Sequence, residues 1–191
     1  MSIKVEQPAM ALNSADVPGA KYEMWNTWTV DPKDNSDKIA GWIAKVATGA
    51  PGGRLRFVLW NCHGFYAGGK LKTGGYGLKM GTGIYRADIR KFKALQGLVD
   101  NIWITACGAA RISPADWKGD GDGNVFCSDL AKASGAYVVA ATTHQDGDLI
   151  LRKNYIDNFE GLVLQYGPMG NVVWSHDYGR SWVDALIHDS N

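Results

Sequence analysis

Along this chain, short apolar runs alternate with amphipathic stretches, and turn-forming residues mark most of the joints between them. KYEMWNTWTV (21–30) alternates and is rich in aromatic and β-branched residues, which predicts a strand. DPKDNS follows with turn and cap residues. A helix is then predicted over 36–48, with Ile39, Trp42, Ile43 and Val46 on one face and Gly49 and Pro51 as its stop. RLRFVLWN (54–61) reads as a buried strand that runs straight into Cys62-His63-Gly64. The glycine-rich stretch 64–83 reads as loop and hairpin, and Asp88 to Gln96 as a second helix with Ile89, Phe92 and Leu95 inward and Gly97 as its end. NIWITA (101–106) is another short apolar strand, leading into Cys107-Gly108. Asn124 is placed to cap a third helix, VFCSDLAKAS, closed by Gly135, and AYVVAATT (136–143) is a third apolar strand. FEGLVLQY (159–166), the turn GPMGN and VVWS (172–175) have the pattern of an antiparallel hairpin. Residues 1–20 are polar and aperiodic and read as a loose arm.

Short apolar strands separated by helices are the mark of βαβ units, so the expected fold class is α/β. The central sheet should be mostly parallel, with helices on both faces and the C-terminal hairpin extending it. No repeat or low-complexity linker interrupts the pattern, and residues 21–191 read as one domain.

Composition narrows the functional classes. Of 191 residues, 46% are hydrophobic and 20% charged, enough to build a sizeable core, and the formal net charge of +1 offers no strong field for nucleic acid or an anionic membrane. No basic stripe and no apolar run of membrane-spanning or signal-peptide length occurs, so the expectation is a protein of the cytoplasm, or one exported by a dedicated system. Three cysteines, Cys62, Cys107 and Cys127, do not form a disulfide framework and point to free thiols.

Chemistry concentrates at two strand ends. In open α/β sheets ligands bind beyond the carboxyl ends of the strands. FVLWNCHG delivers His63 there, and IWITACG delivers Cys107, 44 residues downstream. A thiol attacks as its thiolate, and an adjacent imidazole is the usual means of generating it. A glycine after each residue lets the backbone turn sharply beside a substrate carbonyl, and its N–H can serve in an oxyanion hole. Alternation sends Cys62 to the opposite face of its strand from His63, into the core, and Cys127 falls within a predicted helix.

An apolar strand ending in His-Gly, followed by one ending in Ala-Cys-Gly, resembles the caspase, legumain and gingipain group of cysteine peptidases. Thr105-Ala106-Cys107-Gly108 aligns with the caspase signature Q-A-C-[RQG]-G, with Ala109 at the final glycine and Thr105 at the glutamine. The likeness covers about residues 55–143. It implies a caspase-like αβα sandwich and a Cys–His dyad that hydrolyses peptide bonds, with Cys107 as nucleophile and His63 as general base and acid. The backbone N–H groups of Gly64 and Cys107 would be the oxyanion donors. It implies a peptide or protein substrate, no cofactor and no metal. Thr105 takes the position that helps line the pocket for the residue before the cut, while the loop 108–123 carries no caspase-like sequence. His144 and Asp146, just past the third apolar strand, are further candidates for that pocket.

Other patterns compete and fall short. Gly64 to Lys70 follows a strand as a phosphate-binding loop would, but Leu71 replaces the required Ser or Thr and glycines follow where a helix should start. Asp120-Gly-Asp122-Gly-Asn124 opens like a calcium loop, with Val125 at the turning glycine and Ala131 at the bidentate glutamate. Cys62, His63, Cys107 and Cys127 lack zinc-site spacing, and His176 and His188 read as surface or loop residues. Two other functional readings keep the same residues: a Cys–His acyltransferase or deamidase, and an inert caspase-like binding module.

Overall fold

A computed structural model of the chain describes residues 3–65, 75–113, 118–146, 152–157 and 159–179. Its centre is a seven-stranded sheet. In chain order the elements are β1 (Ile3–Lys4), β2 (Ala9–Ser14), β3 (Asn26–Val30), α1 (Ser36–Gly49), β4 (Leu55–Asn61), β5 (His63–Gly64) and β6 (Leu78–Lys79). There follow a 3₁₀ helix (Arg86–Leu95), β7 (Val99–Ile104), α2 (Gly123–Ser134), β8 (Tyr137–Ala141), β9 (Tyr155–Ile156), β10 (Leu162–Tyr166) and β11 (Val172–Asp177). The sheet runs β11-β10-β8-β7-β4-β2-β3. The five strands from β8 to β3 are mutually parallel, and β10 and β11 continue antiparallel as the expected hairpin.

The loose arm expected over residues 1–20 is the clearest correction. Residues 9–14 form β2, a strand buried along its whole length between β4 and β3. Met10 and Leu12 point to one face, and Ala9 and Ala11 to the other. The second face has small residues because Tyr22 and Met24 lie against it, and the apolar run Ala9-Met10-Ala11-Leu12 is short, holds no β-branched or aromatic residue and so carries little strand signal.

Strand alternation divides the core in two. Val58 and Trp60, Ile102 and Ile104, and Val138 and Ala140 face one side, where Ile39 and Ile43 of α1, Phe92 of the 3₁₀ helix and Phe126 and Leu130 of α2 meet them. Leu59, Val139 and Ala141 face the other, covered by Tyr22, Ile156 and Phe159 from segments that are not helical. The fold is therefore α/β with a mostly parallel sheet flanked by helices. Among the described residues, the helices expected on both faces pack on one.

Local rules account for most boundaries. Asn35 accepts a hydrogen bond from the Lys38 N–H and starts α1. Gly135 closes α2 in the left-handed conformation at φ 68°, its N–H on the Ala131 carbonyl. Two details differ from expectation. Trp42, expected inward, is exposed on α1 and lies 6.0 Å from the Trp28 ring of the edge strand, with Lys45 Nζ 5.2 Å from its own ring. Asn124 does not cap α2. The helix begins after Asp122, and the Asn124 amide oxygen instead accepts the Tyr166 hydroxyl at 2.8 Å.

Candidate active site

β4 and β7 are parallel neighbours, with Trp60 opposite Ile104. Both chains leave the sheet at the same edge, so the residues that follow converge. Thr105, just past the end of β7, stays bound to the neighbouring β4: its N–H and its hydroxyl both donate to the Trp60 carbonyl, at 3.1 and 3.3 Å. His63-Gly64 forms the short strand β5, paired antiparallel with Leu78-Lys79 of β6. This fits the hairpin expected of the glycine-rich stretch.

Gly64 lies directly against the backbone of Cys107. A Cβ added at Gly64 would run into the Cys107 carbonyl oxygen, so the glycine is what lets the two strand ends approach. His63, Cys107 and Thr105 line one cleft, with a volume of about 150 Å³. Cys107 is half-buried and in no disulfide. The turn that carries it is pinned to the end of β8: the Gly108 N–H donates to the Thr143 carbonyl at 2.7 Å, and the Ala110 N–H to the Ala141 carbonyl at 3.0 Å. The Gly108 N–H is thus committed to the fold and is corrected as an oxyanion donor. The expected donors are the N–H groups of Gly64 and Cys107 itself, whose backbones lie together here.

Several residues around His63 and Cys107 carry no motif and were missed. Gln145 is the first. Its backbone N–H donates to Cys107 Sγ at 3.3 Å and its carbonyl accepts the Cys107 thiol at 3.6 Å, so the Gln145 main chain holds the sulfur from both sides. Its side chain is clamped by Glu160, with Nε2 on the Glu160 carbonyl at 3.0 Å and Oε1 accepting the Glu160 N–H at 3.1 Å. Asp16 is the second. Its main-chain carbonyl lies 3.4 Å from His63 Nε2. When Nε2 carries the proton it donates there, and Nδ1 is left as the basic nitrogen. Burial opposes ionisation of the Asp16 carboxyl, but hydrogen bonds to Lys79 and Ser14 outweigh it and hold the group below its ordinary value. Lys79 is the register partner of His63, so Asp16, His63 and β6 are held as a unit.

Beneath the cleft, two buried amides join β2 to β4. Asn61 Nδ2 donates to Asn13 Oδ1 at 2.9 Å, and Asn13 holds both the N–H and the carbonyl of Tyr22. Tyr22 forms part of the wall. Burial, reinforced by the Asp157 charge, pushes its pKa up to about 12. It stays neutral at physiological pH.

Of the expected pocket residues, Thr105 and Asp146 line the cleft and His144 does not. His144 is buried, while the chain leaving β8 presents Gln145 and Asp146 instead. The clamp between Gln145 and Glu160 fixes that orientation. Cys127 is a core residue, as helix packing implied; Cys62 is buried in the same core but also lines the cleft beside His63, where alternation had sent it to the opposite face. Burial drives both thiols well above the ordinary range.

The competing patterns can also be placed. Asp122 accepts the Lys118 N–H and Asn124 the Tyr166 hydroxyl, so two of the would-be calcium ligands serve the fold. Among the described residues, no group of three or more His, Cys, Asp or Glu is positioned to hold a metal ion. His176 lies on β11 between Trp174 and Tyr178. Gly69, Lys70, Leu71 and His188 lie outside the described residues. Among the described helices, none is long and apolar enough to cross a membrane. No protein-family model, no curated protein and no solved structure matches this chain.

Proposed function

We propose that the protein is a cysteine peptidase of the caspase-like type, in which Cys107 attacks the scissile carbonyl and His63 moves the proton. The observation that carries this reading is the packing of Gly64 on the Cys107 backbone, which brings the two strand-end motifs into one cleft. The imidazole takes the thiol proton as Sγ bonds to the carbonyl carbon, then returns it to the leaving amine. Water, deprotonated by the same imidazole, releases the acyl group and regenerates the thiol. The Gln145 main chain holds the sulfur in the cleft before attack. The N–H groups of Gly64 and Cys107 are the donors assigned to the oxyanion.

Digestion of a peptide library, read by mass spectrometry with wild type and Cys107→Ala in parallel, tests the reading. Cleavage products should form with wild type only. Losing either Cys107 or His63 should cost several orders of magnitude, and losing both little more than one. Equal cleavage by folded Cys107→Ala, or no cleavage by folded wild type, overturns the proposal.

A further inference from the structure

One residue past Gly64 a second cavity opens, with a volume of about 240 Å³, lined by Phe65, Tyr76, Tyr85, Arg86, Ala87 and Asp120. It shares none of these residues with the cleft of Cys107 and His63. Its aromatic walls are set by the backbone. The Phe65 N–H donates to the Gly77 carbonyl at 2.9 Å, which holds Phe65 beside the segment that carries Tyr76. Gly83, at φ 103°, lies against the Tyr85 side chain, where an added Cβ would stand 2.7 Å from a ring carbon, so a glycine is what leaves the ring its place. The Phe65 and Tyr85 rings lie 5.1 Å apart at 72°, two walls of a corner rather than a closed stack. The charges at this pocket are unequally placed. The Arg86 guanidinium is turned to the framework, with Nε on the Asp129 carboxylate at 2.9 Å and Nη1 on the Lys118 carbonyl at 3.0 Å. Asp120 brings an exposed carboxylate to the rim.

We infer that this pocket binds a methylated ammonium group, of the kind carried by trimethyllysine and by choline, with Phe65, Tyr76 and Tyr85 around the cation and Asp120 as its counter-charge. Aromatic faces attract a cation through the ring quadrupole, and the attraction grows as water is excluded. An unmodified ammonium is compact and strongly hydrated, and walls made mostly of ring carbon replace that water poorly. Methyl groups spread the charge, remove the N–H donors and fill the corner between the rings. An anionic group would meet Asp120, and a neutral one of the same shape would gain contact without the attraction. The inference does not depend on the peptidase reading, because the pocket lies outside the cleft.

Titration calorimetry tests this with four probes: trimethyllysine and lysine, each capped as N-acetyl methylamides, the uncharged tert-butyl isostere of trimethyllysine capped likewise, and choline. Wild type is compared with Phe65→Leu, Tyr85→Leu, Asp120→Asn and Cys107→Ala, each checked for folding by circular dichroism. Trimethyllysine should bind wild type at least about fivefold more tightly than lysine or the isostere. Each Leu variant keeps apolar bulk but lacks the ring face, and should weaken that binding at least about fivefold; Asp120→Asn should weaken it about threefold. Cys107→Ala should bind as wild type does. Choline that matches trimethyllysine assigns a small molecule or lipid headgroup as the source, and choline that binds much more weakly assigns a methylated protein; both uphold the site. Equal binding of the isostere, full affinity in both folded Leu variants, loss of binding in Cys107→Ala, or no binding of any probe at millimolar concentration overturns it. The peptidase proposal is decided separately, by Cys107-dependent cleavage.

Discussion

Cys62, Cys107 and Cys127 meet three different surroundings within one chain, and their reactivity should separate accordingly. Cys107 is half-buried at a strand end, beside a backbone N–H and in the same cleft as an imidazole. Cys62 and Cys127 are enclosed, and burial without a compensating positive charge disfavours their thiolates. Limiting iodoacetamide near neutral pH should therefore label Cys107 first, and the other two only after denaturation. The rate at Cys107 should fall in His63→Ala. Peptide mapping reads this without any substrate, and predominant labelling of Cys62 would assign the nucleophile to the wrong cysteine.

At the scale of elements, Asp88 joins two helices by their starts. Its carboxylate accepts the Tyr85 N–H at 3.0 Å, the Ser36 hydroxyl at 2.9 Å and Lys91 Nζ at 2.9 Å, tying the 3₁₀ helix to the first turn of α1. Burial alone would raise its pKa, but these bonds outweigh it and hold the group below its ordinary 3.8. A carboxyl whose pKa is depressed on folding contributes stability above its unfolded pKa and loses it as pH falls toward the folded value. The wild-type advantage over Asp88→Asn, measured as the urea midpoint, should be constant above about pH 5 and shrink as pH drops through 4 and below. An advantage that grows on acidification would contradict the assignment. Helix faces of this kind were legible in the sequence because Ile89, Phe92 and Leu95 recur at helical spacing, and all three are buried. Trp42 fits the same spacing on α1 yet lies outside, since periodicity cannot tell a covered stripe from the edge of one.

For the molecule as a whole, β2 is decisive. It pairs with both β3 and β4, and Leu12 is fully enclosed in the larger core. Leu12→Ala should cost about 2–5 kcal/mol in chemical denaturation, as for other enclosed leucines. In a loose arm the same change would be neutral. Because the sheet is continuous, fluorescence and circular dichroism should report one coincident transition. The tie between Asn13 and Asn61 places β2 beneath the cleft as well, so the segment expected as a loose arm supports the site.

Local order is what the sequence by itself determined. Apolar runs of strand length, helical spacing, and Gly at the ends of helices specified β4, β7, β8, α1, α2 and the final hairpin, because those signals arise within a few residues of one another. The convergence of His63 and Cys107 on one cleft was legible for the same reason. His63 and Cys107 each end such a strand, and the crossover geometry of parallel strands brings both ends to one edge. Only the tertiary structure decided the rest. Burial of β2 depends on Tyr22 and Met24 covering its alanines, and the orientation of Gln145 depends on Glu160. The placing of Asp16 at the imidazole comes from a backbone carbonyl, which has no signature in residue type. These are contacts between distant segments or through main-chain atoms, and neither leaves a pattern that a linear reading can register.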